Sequence, residues 1–376
     1  LHTVESGDTV FKIARKYAVS PMKIIENNGL HDPDRLSVGE QLLILTPTKT
    51  YTVRGGDTLT KITNRFGVKK SELYENNPQL GGTDTLYAGQ LLAIRYDTPT
   101  GGMAATNGYV YPGCDADRFR AVLPYLTYVT FSGLRTDGEH IFPLADFSEF
   151  RRAAKAAGKS SLLRVTGIGE DEAFLKDASR REALIGTVAD FAKEKGYDGI
   201  TLAAYRMAKE APEEYDAFLL QAKKCLLGFD LLLFTEADAN ETITGSDLSD
   251  GVILMYEKCT LTPPPSFEEG ERAVFTSYAE AFESSKAFLD ISAFGYDEGE
   301  PLDNEEIRKI AYKCKAEIST DDETKLSSFS YRRFGGGKRE DRTVRFEPLS
   351  AIREKLGLVS ELCYNGVSID VGRVPT

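Results

Sequence analysis

A chain of 376 residues is too long for one ordinary core and calls for two or three domains. Its 46 basic against 58 acidic side chains leave a formal net charge of −12, which argues against nucleic acid or anionic lipid as a main partner. Five scattered cysteines without CxxC spacing and three histidines outside any ligand-type cluster imply no disulfide framework, metal site or cofactor, and most of the cysteines read as small buried residues.

The first ninety-odd residues repeat themselves. HTVESGDTV from His2 returns as YTVRGGDTL from Tyr51, and Lys12/Lys61, Ile13/Ile62, Val19/Val68 and Asn28/Asn77 continue the match. One residue is then inserted, and Gly39 and Ile44 fall opposite Gly89 and Ile94. Such a period is a duplication of one structural unit. In each copy a short extended segment meets Gly-Asp-Thr, where Asp or Thr can cap the helix that follows. Phe11, Ile13, Ala14 and Tyr17 lie at helical spacing, and a second helix from Ser20 stops at Asn27-Asn28-Gly29. Gln41 to Leu45 reads as a closing strand.

This βααβ order, with GDT and NN at these places, resembles the LysM module over residues 1–46 and 51–96. The resemblance implies a shallow groove whose backbone cradles the N-acetyl groups of β-1,4-linked GlcNAc-type chains. It maps to Gly7, Asp8, Thr9 and Val10 with Asn28, Gly29 and Leu30 in the first copy. In the second it maps to Gly56, Asp57, Thr58 and Leu59 with Asn77, Pro78 and Gln79.

Thr46 to Thr50 joins the copies, and a Pro/Gly/Thr-rich stretch over 97–106 is a second spacer. Residues 107–376 then alternate apolar runs with amphipathic stretches, at a length close to the roughly 250 residues of a (β/α)8 barrel. Candidate strands are Leu126–Phe131, Ser161–Val165, Gly199–Leu202, Leu231–Thr235, Gly251–Met255, Ala287–Ser292 and Asn365–Val371, one short of a full barrel. A helix bearing Leu184, Ile185, Val188 and Phe191 separates the second from the third. Residues 301–348 look like an α+β insertion, in which Gly335-Gly336-Gly337-Lys338 lacks phosphate-loop spacing and reads as a hairpin turn. No run of about 18 apolar residues and no export signal are visible, so no membrane span is expected.

GYVYPG at Gly108, LPYLTYVTF at Leu123, ILMYE at Ile253, ISAFGYD at Ile291 and GVSID at Gly366 resemble landmarks of family 18 glycosidases, particularly LysM-bearing cortex-lytic enzymes of endospore formers. That family implies a TIM barrel and a fourth-strand motif, DGxxxDxE. There the Glu protonates the glycosidic oxygen, and the Asp orients the substrate's own N-acetyl group for attack. Here the strand reads YDGITLAAY: Asp198 and Gly199 remain, Ala203 stands where the orienting Asp belongs, and Tyr205 where the acid belongs. Neither replaces a carboxyl, since Ala has no proton to give and a phenol of pKa about 10 is a poor acid at neutral pH. The family's subsite tryptophan is missing too, with Asp370 in its place in a chain that has no tryptophan.

The expected protein is therefore a peptidoglycan- or chitin-binding pseudo-glycosidase of a cell wall or spore surface, with Asp198, Tyr205 and Tyr256 at the barrel mouth. An active N-acetylglucosaminidase would need a relocated acid, for which Glu236, Glu257 and Asp370 are the candidates. A third reading makes the barrel a scaffold for a spore or wall protein.

Overall fold

The computed structural model describes residues 1–96, 104–238, 248–255, 266–281, 283–291, 294–335 and 338–373. The first repeat runs from strand His2–Thr3 through helices Val10–Tyr17 and Pro21–Asn27 to strand Gln41–Leu42. The second runs from Lys49–Thr52 through Leu59–Phe66 and Lys70–Asn76 to Leu91–Arg95. Each has its own small core, Val10, Ile13, Ile24, Leu30 and Leu42 in one and Leu59, Ile62, Leu73, Leu80 and Leu92 in the other. Pairing of the second repeat already begins at Lys49, inside the stretch read as a spacer.

Thr caps the first helix in both copies, its hydroxyl accepting from Lys12 N and Lys61 N at 3.2 Å. Asp does not cap. Asp8 instead accepts from Glu5 N at 2.9 Å and from His2 Nε2, and Asp57 from Arg54 N and Tyr51 OH at 2.7 Å, so each closes the turn ahead of its helix. Lys12 and Lys61 tie the same turn by donating to the carbonyls of Gly7 and Gly56.

Eight parallel strands close the barrel: β1 Ala105–Val110, β2 Tyr128–Thr136, β3 Ser160–Thr166, β4 Gly199–Leu202, β5 Leu232–Asp238, β6 Gly251–Met255, β7 Ala287–Ile291 and β8 Gly366–Asp370. Each pairs with the next, and β1 pairs with both β2 and β8. Side chains alternate between faces. Ile200 and Leu202 pack outward against Val188, Ala192 and Phe218 of the surrounding helices, whereas Tyr109, Leu162, Phe234, Ile253 and Phe288 fill the barrel. The strand missing from the apolar candidates is β1, which overlaps GYVYPG at Gly108, the stretch that resembles the family's first strand. Its opening, Ala-Thr-Asn-Gly, looks like spacer because Asn107 is polar, yet Asn107 is fully buried and bonded to Thr130 and Ser368.

An antiparallel five-stranded sheet and helix Asn304–Cys314 form the insertion between β7 and the last barrel helix, Leu349–Glu361. It starts earlier than residue 301. Among the described residues of ISAFGYD, Ile291 belongs to the barrel, and Phe294–Asp297 pairs with Glu300–Asp303 and joins the insertion. Gly335 pairs with Lys338, so the strands on either side of the glycine run are hairpin partners; Gly336 and Gly337 lie outside the described residues. Of the described cysteines, Cys114 and Cys225 are half-buried and Cys314 and Cys363 exposed, so the expectation of mostly buried cysteines does not hold; Cys259 lies outside the described residues.

The first repeat is docked on this insertion. Ile318 N donates to Val38 O at 2.9 Å, Arg308 reaches Glu40 at 2.8 Å and Asn28 O at 2.8 Å, and Ser350 N donates to the Gln41 side chain. Gly39 makes the approach possible: with φ of +85°, a Cβ there would sit 1.9 Å from Ile318 O. The second repeat leans on the first, with Lys23 donating to Glu75 O at 3.0 Å.

Candidate functional site

The upper barrel interior is where a (β/α)8 enzyme keeps its chemistry, at the C-terminal ends of the strands. On β4, Thr201 and Ala203 share the inward face, and Ala203 is buried with its N–H on Val165 O. Tyr205 opens the short helix Tyr205–Glu210; its side chain, and the whole of Tyr256 and Glu257, lie outside the described residues.

Across from Ala203, Glu236 on β5 is almost fully buried. It accepts two charge-assisted bonds from Arg164 on β3, at 2.6 and 2.8 Å, and a third from the Tyr109 hydroxyl on β1 at 2.6 Å. Burial works against the Arg164 cation, but the bonds and charge of Glu236 outweigh it and hold the guanidinium above its ordinary pKa. Removing one member of such a buried pair typically costs about 3–5 kcal/mol, because the other is left charged and unpaired.

Tyr111 continues the inward row of β1, and burial beside Glu236, Asp370 and Asp290 pushes its phenol up to about 12, partly offset by Arg164. Asp370, at the end of β8, accepts from Gly372 N at 2.9 Å and sits where an aromatic platform was expected. Asp198 was expected at the mouth and is not there. It precedes β4, its carboxylate accepting from Ser161 N at 2.8 Å and its carbonyl from Leu232 N, so it staples the opposite, N-terminal ends of β3, β4 and β5.

Sequence reading missed Asp290. On β7 it alternates with Leu289 and Ile291, which face the outer helices, and so shares the inner face with Phe288. Burial lifts its pKa to about 7; the Lys355 cation opposes this, while Glu347, Glu236 and Asp370 add to it. Lys355 is itself buried and bonded to Glu347 at 2.8 Å.

In the repeats, the side chains at the expected groove positions are occupied. Asn28 and Asn77 are buried clamps: each amide donates to a helix carbonyl and a strand carbonyl and accepts a strand N–H. Asp8, Asp57, Thr9 and Thr58 hold turns, leaving backbone around Gly7 to Val10 and Gly56 to Leu59 as the surface a ligand would meet. The loops at Gly29-Leu30 and Asn77–Gln79 each open onto a cleft, the first against the insertion and the second against the first repeat.

The two repeats match the family model described as LysM domain over residues 2–45 and 51–95. They are LysM domains. A cortical fragment-lytic enzyme of Bacillus anthracis is 27% identical over 409 residues, covering 97% of this chain and 93% of its own. The spore cortex-lytic enzyme SleL of Bacillus megaterium superposes with a TM-score of 0.76 at 22% identity, covering 100% of this chain and 95% of that one. A chitinase from Chromobacterium violaceum matches with a TM-score of 0.60 at 17% identity over 72% of this chain and 95% of its own. The barrel has the chitinase-like fold of these enzymes.

Proposed function

We propose that the chain binds peptidoglycan- or chitin-type GlcNAc polymers through its LysM domains, on a cell wall or spore surface, and that its barrel no longer hydrolyses them. One observation carries this reading. The end of β4 offers the buried methyl of Ala203, while the carboxylate opposite, Glu236, is spent on Arg164 and Tyr109. An acid must reach the leaving oxygen within hydrogen-bond distance, and loss of a general acid alone costs about 10²–10⁴ in rate. Tandem LysM domains retain the glycan by raising effective concentration on a polymer.

A second reading rests on Asp290, a half-buried inward carboxyl whose pKa of about 7 suits a proton donor at neutral pH. One experiment separates the two. The full chain is mixed with insoluble peptidoglycan and with spore cortex fragments, and sedimentation and released reducing ends are both measured. The proposal expects co-sedimentation with no release above buffer. Turnover that disappears in Asp290→Asn or Glu257→Gln would replace it with a glycosidase using a displaced acid.

A further inference from the structure

The cleft between the first LysM domain and insertion helix Asn304–Cys314 has a volume of about 570 Å³. One wall is Gly29 to Asp32 with Arg35, and the other is the helix face from Glu305 to Lys313. Its charge runs against that of the molecule. Four cations, Arg35, Arg308, Lys309 and Lys313, face two carboxylates, Asp32 and Glu305, in a chain whose net charge is −12. Arg35 is bonded to Asp32 and Lys309 to Glu305, while Arg308 leaves the cleft for Glu40 and two carbonyls. Lys313 has no acidic partner among the described residues.

Beside it lies Tyr312, 41% exposed, with the Arg35 guanidinium 5.4 Å from its ring centroid. An exposed aromatic face next to an unpaired cation suits a sugar ring that carries a carboxylate. The molecule also contains its own comparison. The corresponding cleft of the second domain, between Asn77–Gln79 and the first domain, is about 240 Å³ and has no charged residue in its lining.

We propose that this cleft is a second glycan site. It takes the carboxylate-bearing sugar of a GlcNAc-type strand whose neutral part lies against the Gly29-Leu30 loop, and so rests on the LysM reading above. Lys313 meets the carboxylate, Tyr312 the ring, and Arg308 holds the loop carbonyls that shape the wall.

The test uses the full chain and two soluble hexasaccharides. One is chitohexaose, which is neutral. The other is a peptide-free strand alternating GlcNAc with N-acetylmuramic acid, whose lactyl groups are carboxylates. Titration calorimetry should find the acidic strand bound about fivefold more tightly at low salt, with the advantage fading as salt screens it. Lys313→Glu, at an exposed position, should remove most of that advantage and leave chitohexaose affinity and the melting temperature unchanged, whereas Tyr312→Ala should weaken the acidic strand through its ring contact. Equal affinity for the two strands in the wild type, an advantage that survives in Lys313→Glu, or unchanged binding of the acidic strand by Tyr312→Ala overturns the cleft alone. Failure to bind either strand overturns the LysM reading and the cleft together.

Discussion

At the end of β4 Ala203 offers only a methyl group, and the departure from the resembled motif was legible in the sequence because that motif occupies one short strand. The arrangement opposite it was not. Arg164 and Glu236 are separated by 72 residues, and nothing local marks an arginine on one strand as the partner of a glutamate two strands away. Asp290 was hidden for another reason: in Ala-Phe-Leu-Asp-Ile the acid looks like the wet end of a strand, whereas the barrel turns it inward. It makes a measurable prediction. The folded pKa of about 7 lies above the ordinary value of about 3.9, so the native state holds a proton that the unfolded chain has released. Stability contributed by this group therefore falls as pH rises from about 4 to 7 and is level above that. Among the charged groups around it, Lys355 favours the anion and Glu347, Glu236 and Asp370 oppose it. Asp290→Asn carries no such penalty. Its melting temperature relative to wild type should climb between pH 4 and 7 and then level off, and a difference constant across that window would show that Asp290 is not held neutral.

Among the elements, the duplicated modules were the plainest feature of the sequence, since two helices recur with the same Thr at the start of the first and the same Asn at the end of the second. β1 was the least plain, because its buried polar side chain mimics a spacer until Thr130 and Ser368 are seen to receive it. The duplication also lets one position be read against its twin. Gly39 and Gly89 occupy the same turn, with φ of +85° and +89°, so alanine at either meets the left-handed penalty of roughly 1–2 kcal/mol. Beyond that they differ: a Cβ at Gly89 meets nothing within 4 Å, whereas one at Gly39 lands on the Ile318 carbonyl. Their neighbours differ in the same sense, Glu40 meeting Arg308 of the insertion where the second module has Gln90, whose amide oxygen accepts from Tyr87 N. Gly89→Ala should lower stability by that left-handed cost alone, while Gly39→Ala should also release the module from the insertion. Hydrogen exchange reads the second effect at Ile318 N, which should lose protection only in Gly39→Ala; protection that survives would mean the turn can shift aside.

For the whole molecule, no short-range pattern announces that the first module touches the insertion, because residues 28–40 and 308–318 meet only through the fold. Burial acts to raise the pKa of Glu40, and the Arg308 charge acts against that, which makes the pair a sensitive point of the interface. Arg308→Glu should push the module off the insertion and enlarge the radius of gyration by small-angle scattering; an unchanged scattering curve would assign the contact to the Val38–Ile318 and Gln41–Ser350 bonds.

The two docking contacts share a form. Arg308 donates to carbonyls just past helix Pro21–Asn27 of the first module, and Lys23 of the first module donates to a carbonyl near the end of helix Lys70–Asn76 of the second. Each cation meets the negative end of a helix dipole. The modules thus overlap like roof tiles laid from the insertion outward, and the same lap would accept a further tile. A chain arranged this way has a load path. The second module is also joined to the barrel by residues 97–106 of the chain, so tension on a glycan held there is shared between that covalent spacer and the laps at Lys23, Arg308 and the Val38–Ile318 link. Force on the wall would open the non-covalent laps before it strained the chain, and both LysM domains would stay tethered to the barrel.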